Sequence, residues 1–308
     1  MRIIAVDVGT SSVKAGLIEE GITSRASVSI SLSLKRDPPS AATLDLKAIL
    51  RKVKLAIASV VARTGIREVD AIALCSQMHG LALLDERMEP VTPLYTYLDT
   101  RAYRWAEFLE SEYGLELYRE TGCPPLFIYP LAKLLWLKER GLLSEARYIV
   151  TSAKDYVIYG LTGRFVTEPS TASGSQLLRL DGRGWCELSL SAVGVGEEAL
   201  PELIGSREAL ELRAEVAREI GLKRRVCVIV GISDAAAHSL GLGALAPDTV
   251  AVNLGTSGAI RACTSAPTLD EESMGLFCYT SGYGVWLVGG AVNNAMVAVN
   301  WLIEEFLK

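Results

Sequence analysis

One short pattern occurs twice in this chain, as AVDVGTSSVKAG over 5–16 and as AVNLGTSGAIRA over 251–262. In each copy a short apolar run stops at Gly-Thr-Ser and then resumes as a second strand-like run. Glycine permits the tight turn, and successive backbone N–H groups with hydroxyl donors can form a nest for an anion. Two ordinary hairpin turns would draw on the same residues. The run of matching or conservatively replaced positions favours a paired phosphate clamp over coincidence. No helical pattern follows the first loop, as a Walker or dinucleotide loop requires, and G-x-x-x-x-G-K-[ST] does not occur. Two G-x-G-x-x-A matches are misplaced for a dinucleotide site. Gly241–Ala246 falls at a helix end, and Gly194–Ala199 has no clear buried strand before it.

Composition narrows the function classes. The 308 residues are 50% hydrophobic and 22% charged, which suits about two domains with real cores. A net charge of -5 argues against a nucleic-acid or anionic-membrane surface. The six cysteines form no C-x-x-C pair, and the two histidines form no H-x-x-x-H, so a disulfide frame or transition-metal site is not expected. The N-terminal apolar run is too short for a signal peptide and is broken by Asp7. The longest uncharged run, Ser273 to Ile303, is interrupted throughout by Gly, Ser, Thr and Asn. A cytoplasmic globular protein is the expectation.

Along the chain, apolar spacing alternates between period two and period 3.6. Ile3–Val8 and Val13–Ile18 read as a hairpin. Leu46, Ile49, Leu50, Val53, Ile57, Val60 and Val61 make an amphipathic helix ending near Gly65. Val69–Cys75 reads as a strand opening into SQMHG. Pro130–Gly141 reads as a helix with Pro in its first turn, and Ser152 and Gly163 bracket another. Glu208–Ile220 reads as a charged surface helix. Val226–Val230 is an apolar strand that turns through GISD into a helix. After Pro247-Asp248 the strand–turn–strand pattern restarts. The whole is α/β with hairpins, hence a mixed sheet, in two related halves, 1–245 and 246–308.

The sequence resembles the FGGY carbohydrate kinases, and among them the gluconokinases and xylulokinases, a branch of the actin–hexokinase ATPase superfamily. The residues that carry the resemblance include AVDVGTSSVKAG, CSQMHGLALLD, PLYTYLDTRA, KDYVIYGLTGRFVTEPSTASG, VIVGISDAAAHSLGLGAL, NLGTSGAIRACTSAP and FCYTSGYGVWLVGGAVNNA, in the family's order over essentially the whole chain. It implies a ribonuclease H-like (actin-like ATPase) domain, followed by an incomplete second domain of the same type. It also implies ATP and Mg²⁺ as cofactors and a small sugar or sugar acid as acceptor.

The resemblance makes Asp234 the base that accepts the sugar hydroxyl proton; by itself the residue also reads as the cap of the following helix. Asp7 beside the first loop suits Mg²⁺, with an Asx-type turn as its alternative. Gly9, Thr10, Ser11, Gly255, Thr256 and Ser257 would hold phosphates. Lys14 would approach the γ-phosphate or be a solvated strand residue. Met78 and His79 are implied sugar contacts, His79 otherwise a satisfied structural histidine. Asp99, with Arg101, is a polyol contact or a structural ion pair. The chain departs from the family at Tyr97, where relatives commonly carry Trp, and at Ala235, where they often carry Asn or Gln. The adenine-binding segments are expected beyond Lys308. Self-association, a homodimer for instance, is expected of the apolar stripe Val297, Trp301, Leu302 and Phe306. Gluconate leads as acceptor, with xylulose next. The alternative reading is a non-catalytic sugar-binding or regulatory protein, or an inactive fragment, on the same scaffold.

Overall fold

A computed structural model describes residues 1–19, 23–223, 225–246, 248–254, 258–292 and 295–307. The N-terminal half is built on a six-stranded sheet of β1 (Arg2–Val8), β2 (Ser12–Glu19), β3 (Thr23–Ser31), β4 (Ala71–Ser76), β5 (Ala209–Glu211) and β6 (Cys227–Ser233). Its order is β5-β6-β4-β1-β2-β3. β1, β2 and β3 form an antiparallel meander, while β4 runs parallel to β1 and β6 parallel to β4. This is the mixed, ribonuclease H-like order that the sequence leads one to expect.

The meander forms because β1 and β2 alternate strictly. Ile4, Val6 and Val8 of β1 are buried, as are Val13, Ala15 and Leu17 of β2. Helix α1 (Leu46–Thr64) covers one face of the sheet with seven buried side chains, spaced at three and four. Asp45 caps its start by accepting from the Ala48 N–H, and it ends at Gly65 as expected. A second core, around Leu109, Leu131, Leu134, Trp136, Ile149 and Leu177, holds a helical layer that includes α2 (Pro130–Glu139). α3 (Ala153–Thr162) has a full capping box from Ser152 and Asp155 and packs in the first core through Val157, Ile158 and Leu161.

One sequence expectation needs correcting. The segment Glu208–Ile220 is not one helix: β5 occupies Ala209–Glu211, and the helix covers only Ala214–Glu219. β5 pairs antiparallel with β6 at the sheet edge, so ladder hydrogen bonding outweighs the helical propensity of Ala, Leu and Glu there.

The C-terminal half carries a four-stranded antiparallel sheet of β7 (Val250–Leu254), β8 (Gly258–Thr264), β9 (Phe277–Thr280) and β10 (Trp286–Val292), ordered β7-β8-β10-β9. The β7–β8 hairpin repeats β1–β2, although residues 255–257 at its tip lie outside the described residues. A third core joins the halves: Met78, Tyr129, Ile232, Ala235 and Ala236 pack with Cys263, Phe277, Tyr279 and Leu287. The stripe of Val297, Trp301, Leu302 and Phe306 is exposed along the last helix, Met296–Phe306. Among the described residues no helix is long and apolar enough to cross a membrane.

Candidate active site

The site begins with an irregularity in β6. The strand loses register with β4 between Ile229 and Ile232, and Gly231 within that bulge has φ +76°. A Cβ on Gly231 would lie 1.7 Å from the carbonyl oxygen of Leu74, so only glycine lets β6 pass β4 so closely. Beyond the bulge Ser233 caps α4 (Asp234–Gly241), its hydroxyl accepting from the Ala236 N–H at 3.2 Å. The helix cap is therefore Ser233 and not Asp234. Asp234 is the first helical residue, and its carboxylate accepts only from the adjacent Ala235 N–H, at 2.8 Å, among the described residues.

A buried polar network fixes this corner. The Ser233 N–H donates to the Ser170 hydroxyl at 2.9 Å, and the two hydroxyls lie 2.8 Å apart. Ser170 belongs to the short helix Pro169–Ala172, capped by Glu168. The Glu168 carboxylate accepts from the Ser170 and Thr171 N–H groups, from both the Thr171 and Ser206 hydroxyls, and from Lys154 Nζ at 2.6 Å. Lys154 and Glu168 are both completely buried.

Asp234 opens onto a cavity of about 250 Å³ between the two halves, lined also by Thr10, Met78, His79, Asn253 and Arg261. Asp234 is exposed to solvent, on the cavity side, while neighbouring protein crowds its carboxylate. That crowding pushes its pKa up to about 6, against the stabilising Ala235 N–H and the field of Arg261, while Asp7 adds to the rise. A carboxylate so placed is ionised at neutral pH yet basic enough to take a proton.

His79 stands in the left-handed region, φ +65°. Its Nδ1 is 2.7 Å from the Gly174 carbonyl oxygen, which makes Nδ1–H the donor and leaves Nε2 an acceptor when the ring is neutral. Burial pushes its pKa down to about 4, so the ring is neutral at physiological pH. Its peptide is pinned from behind by Lys133, a buried amine that donates to the carbonyls of His79 at 2.9 Å and Ile128 at 2.6 Å. Burial pushes the Lys133 amine down to about 7. Tyr129 packs edge-on to His79, and its hydroxyl is 2.7 Å from that of Tyr279. Tyr279 stacks flat on Phe277, with centroids 4.4 Å apart. The cavity thus has an aromatic wall, one acid and one cation, a makeup suited to a small polar molecule.

The first loop meets this cavity at Thr10, whose hydroxyl donates to Gln77; the Gln77 amide in turn donates to the Gly9 carbonyl at 3.2 Å. Gly9 closes the turn by donating to the Ser12 carbonyl at 3.0 Å. Thr10 and Ser11 also line a neighbouring cavity of about 440 Å³. Asp7 and Lys14 face each other across the hairpin, with Lys14 Nζ 3.9 Å from the carboxylate, and line neither cavity. Asp7 also accepts from the Cys75 thiol at 3.5 Å. Gly255, Thr256 and Ser257 lie outside the described residues.

Asp99 is buried and does not line the cavity. It accepts from the Ala42 N–H and the Arg101 N–H, and it grips the Arg101 guanidinium at 2.5 and 3.0 Å. Arg101 stacks in turn on Tyr95 and Trp136. Of the two roles the sequence leaves open for Asp99, its contacts are those of the ion pair. No group of three or more His, Cys, Asp or Glu suited to a metal occurs among the described residues. Mg²⁺ needs no such group, since one or two carboxylates with substrate phosphates and water suffice. Asp7, half-exposed beside the first loop, fits that requirement.

Sequence reasoning did not single out Lys133, Lys154, Glu168 or Arg261. Arg261 alone left a usable signal: period two puts it on one strand face between Ala259 and Cys263, a charge on an inward face.

Comparison with known proteins identifies the family and the fold. The family model for the FGGY family of carbohydrate kinases, N-terminal domain, matches residues 2–241. A gluconokinase of Bacillus subtilis (strain 168) is 30% identical over 307 residues, covering 98% of this chain and 60% of its own length. The crystal structure of a ligand-bound xylulose kinase from Lactobacillus acidophilus superposes with a TM-score of 0.94 at 31% identity, over 99% of this chain and 62% of that one. A gluconate kinase from Lactobacillus acidophilus gives a TM-score of 0.93 at 31% identity, over 98% and 61%. The chain therefore spans about 60% of the length of the curated relatives it matches.

Proposed function

Because this chain belongs to the FGGY family of carbohydrate kinases, we propose that its cavity binds a small sugar or sugar acid and directs one hydroxyl to the γ-phosphate of ATP. The observation that carries this reading is the placement of Asp234: a carboxylate freed from capping by Ser233, open to the cavity between the halves, with its pKa pushed up to about 6. In this reading Asp234 accepts the proton of the sugar hydroxyl as its oxygen bonds to the γ-phosphorus, and the bond to the leaving ADP oxygen breaks. Phosphoryl transfer asks mainly for positioning and charge stabilisation, and a base of this kind contributes about 10²–10⁴-fold.

Gly9, Thr10 and Ser11, with Gly255, Thr256 and Ser257, are the proposed phosphate loops, and Lys14 the cation near the γ-phosphate. Asp7 is the proposed ligand of Mg²⁺, which when bound would neutralise phosphate charge. Met78 packs in the wall of the cavity, and His79 offers Nε2 as an acceptor to a sugar hydroxyl. Gluconate is the favoured acceptor, xylulose the next. Support comes from the gluconokinase and gluconate kinase relatives and from a cation, Arg261, in the cavity.

The test is ADP release by this chain with ATP, Mg²⁺ and each of gluconate, xylulose, ribulose and glycerol. The proposal expects sugar-dependent release, greatest with gluconate. Sugar binding without any sugar-dependent release would make the chain a sugar-binding protein and overturn the kinase reading.

A further inference from the structure

Arg261 takes no part in the proton transfer described above, and its surroundings are unusual for a structural arginine. It lines the cavity from β8, and its Nε is sealed from solvent without a hydrogen-bond partner. No ion pair to it occurs among the described residues, whereas Arg101 and Lys154 are each locked onto a carboxylate. A sealed guanidinium N–H without a partner is costly, and the planar fork of donors matches a carboxylate or phosphate.

The sheet around it is built to leave room. In register, Arg261 faces Ala251 of β7 on one side and Gly289 of β10 on the other. A Cβ on Gly289 would lie 2.0 Å from the Ile260 carbonyl oxygen and 3.1 Å from the Arg261 Cα, so the flank beside the arginine stays bare. The next strand beyond Gly289 presents Phe277, which begins the aromatic wall. The remaining charge in the cavity is Asp234, which repels an anion; it interacts with Arg261 through space without reaching ion-pair distance. His79 is neutral and adds no second positive charge. The cavity is therefore polarised, with an acid at one place and a cation at another.

We propose that Arg261 is the carboxylate receptor of this cavity and selects acyclic sugar acids over uncharged polyols and ketoses. The proposal rests on the reading of the cavity as the acceptor site. It makes Arg261 a specificity-determining residue that binds the carboxylate terminus in a charge-assisted, two-pronged contact, while the hydroxyl to be phosphorylated lies toward Asp234. The competing occupant is the transferring phosphoryl group, which the experiment separates.

Binding is measured by calorimetry on the 308-residue chain without nucleotide, using gluconate, its uncharged counterpart sorbitol, and xylulose. Arg261→Gln is expected to weaken gluconate binding roughly 10–100-fold, the scale of a charge-assisted hydrogen bond, and to change sorbitol and xylulose binding less than about 3-fold. Arg261→Lys keeps the charge but loses the fork, and it is expected to fall between wild type and Arg261→Gln. Equal weakening of gluconate and sorbitol would assign Arg261 to wall structure and overturn the proposal. Unchanged gluconate binding in Arg261→Gln would also overturn it, and a loss of ADP release in that same variant would assign the guanidinium to phosphoryl transfer. Wild-type chain that binds neither gluconate nor sorbitol would overturn this proposal together with the acceptor-site reading. Binding through Arg261 without ADP release would leave this proposal standing and remove the kinase reading alone.

Discussion

Breaking the Lys154–Glu168 pair is expected to be among the more damaging changes away from the cavity itself. Both side chains are fully buried, with Lys154 Nζ 2.6 Å from Glu168 Oε1. Removing one member of such a pair leaves an uncompensated buried charge and costs about 3–5 kcal/mol. The two single variants differ in a way the hydrogen bonds dictate. Lys154→Met leaves the carboxylate with two backbone N–H donors and two hydroxyls, so its loss sits near the lower end. Glu168→Met strands the ammonium and also orphans the Ser170 and Thr171 N–H groups, each costing on the order of 1 kcal/mol or more, which takes it to the upper end or beyond. At about 2 °C per kcal/mol for a chain of this size, the Tm should fall by roughly 6–10 °C. The double variant removes both charges, so its loss should be smaller than the sum of the singles by about 2 kcal/mol or more. Thermal and denaturant unfolding of the four proteins completes the cycle. Strictly additive losses, or a Lys154→Met protein melting within about 2 °C of wild type, would refute the argument.

Three further outcomes follow from the same corner. With the Asp234 pKa near 6, gluconate-dependent kcat/KM should fall about tenfold per pH unit below that value, with no second acid limb from His79 until pH approaches 4; a profile flat from pH 7 to 5 would contradict the assignment. Because the folded pKa lies above the unfolded one, the protonated form stabilises the fold, and that contribution is lost as pH rises through 6. Asp234→Asn should therefore raise the Tm at pH 8 and lose that advantage toward pH 4, as thermal melts at the two pH values would show. Gly231→Ala must fit a Cβ 1.7 Å from the Leu74 carbonyl oxygen at φ +76°, so it should cost at least about 2–3 kcal/mol and weaken gluconate binding; an unchanged melt and affinity would refute the role given to the bulge.

Much of the N-terminal sheet was legible because its signals are local. Strict alternation in β1 and β2, the three-and-four spacing of α1, and the Ser152 and Gly163 brackets of α3 each reside within a few neighbouring residues. The segment Glu208–Ile220 misled because the partner of β5 is β6, about twenty residues away in sequence, and no local propensity records that pairing. The candidate site divides in the same way. Asp234 and the first loop were visible in motifs, and the competing capping role of Asp234 was settled only by Ser233 taking the cap. Ser170 meets Ser233 across 63 residues of chain, and Lys133 reaches the His79 carbonyl across 54, so their positioning roles exist only in the folded structure. Asp99 looked equally suited to sugar or to an ion pair, and only burial and four hydrogen-bond donors distinguish the two settings.

The central claim is that Asp234 takes the proton from a sugar hydroxyl as phosphate is transferred. The most direct measurement is gluconate-dependent ADP release by wild-type and Asp234→Asn chains at pH 8, with gluconate affinity determined in parallel. The variant is expected to bind gluconate within a few-fold of wild type but to lose about 10²–10⁴-fold in turnover. Turnover that persists undiminished in Asp234→Asn, with gluconate still bound, would contradict it.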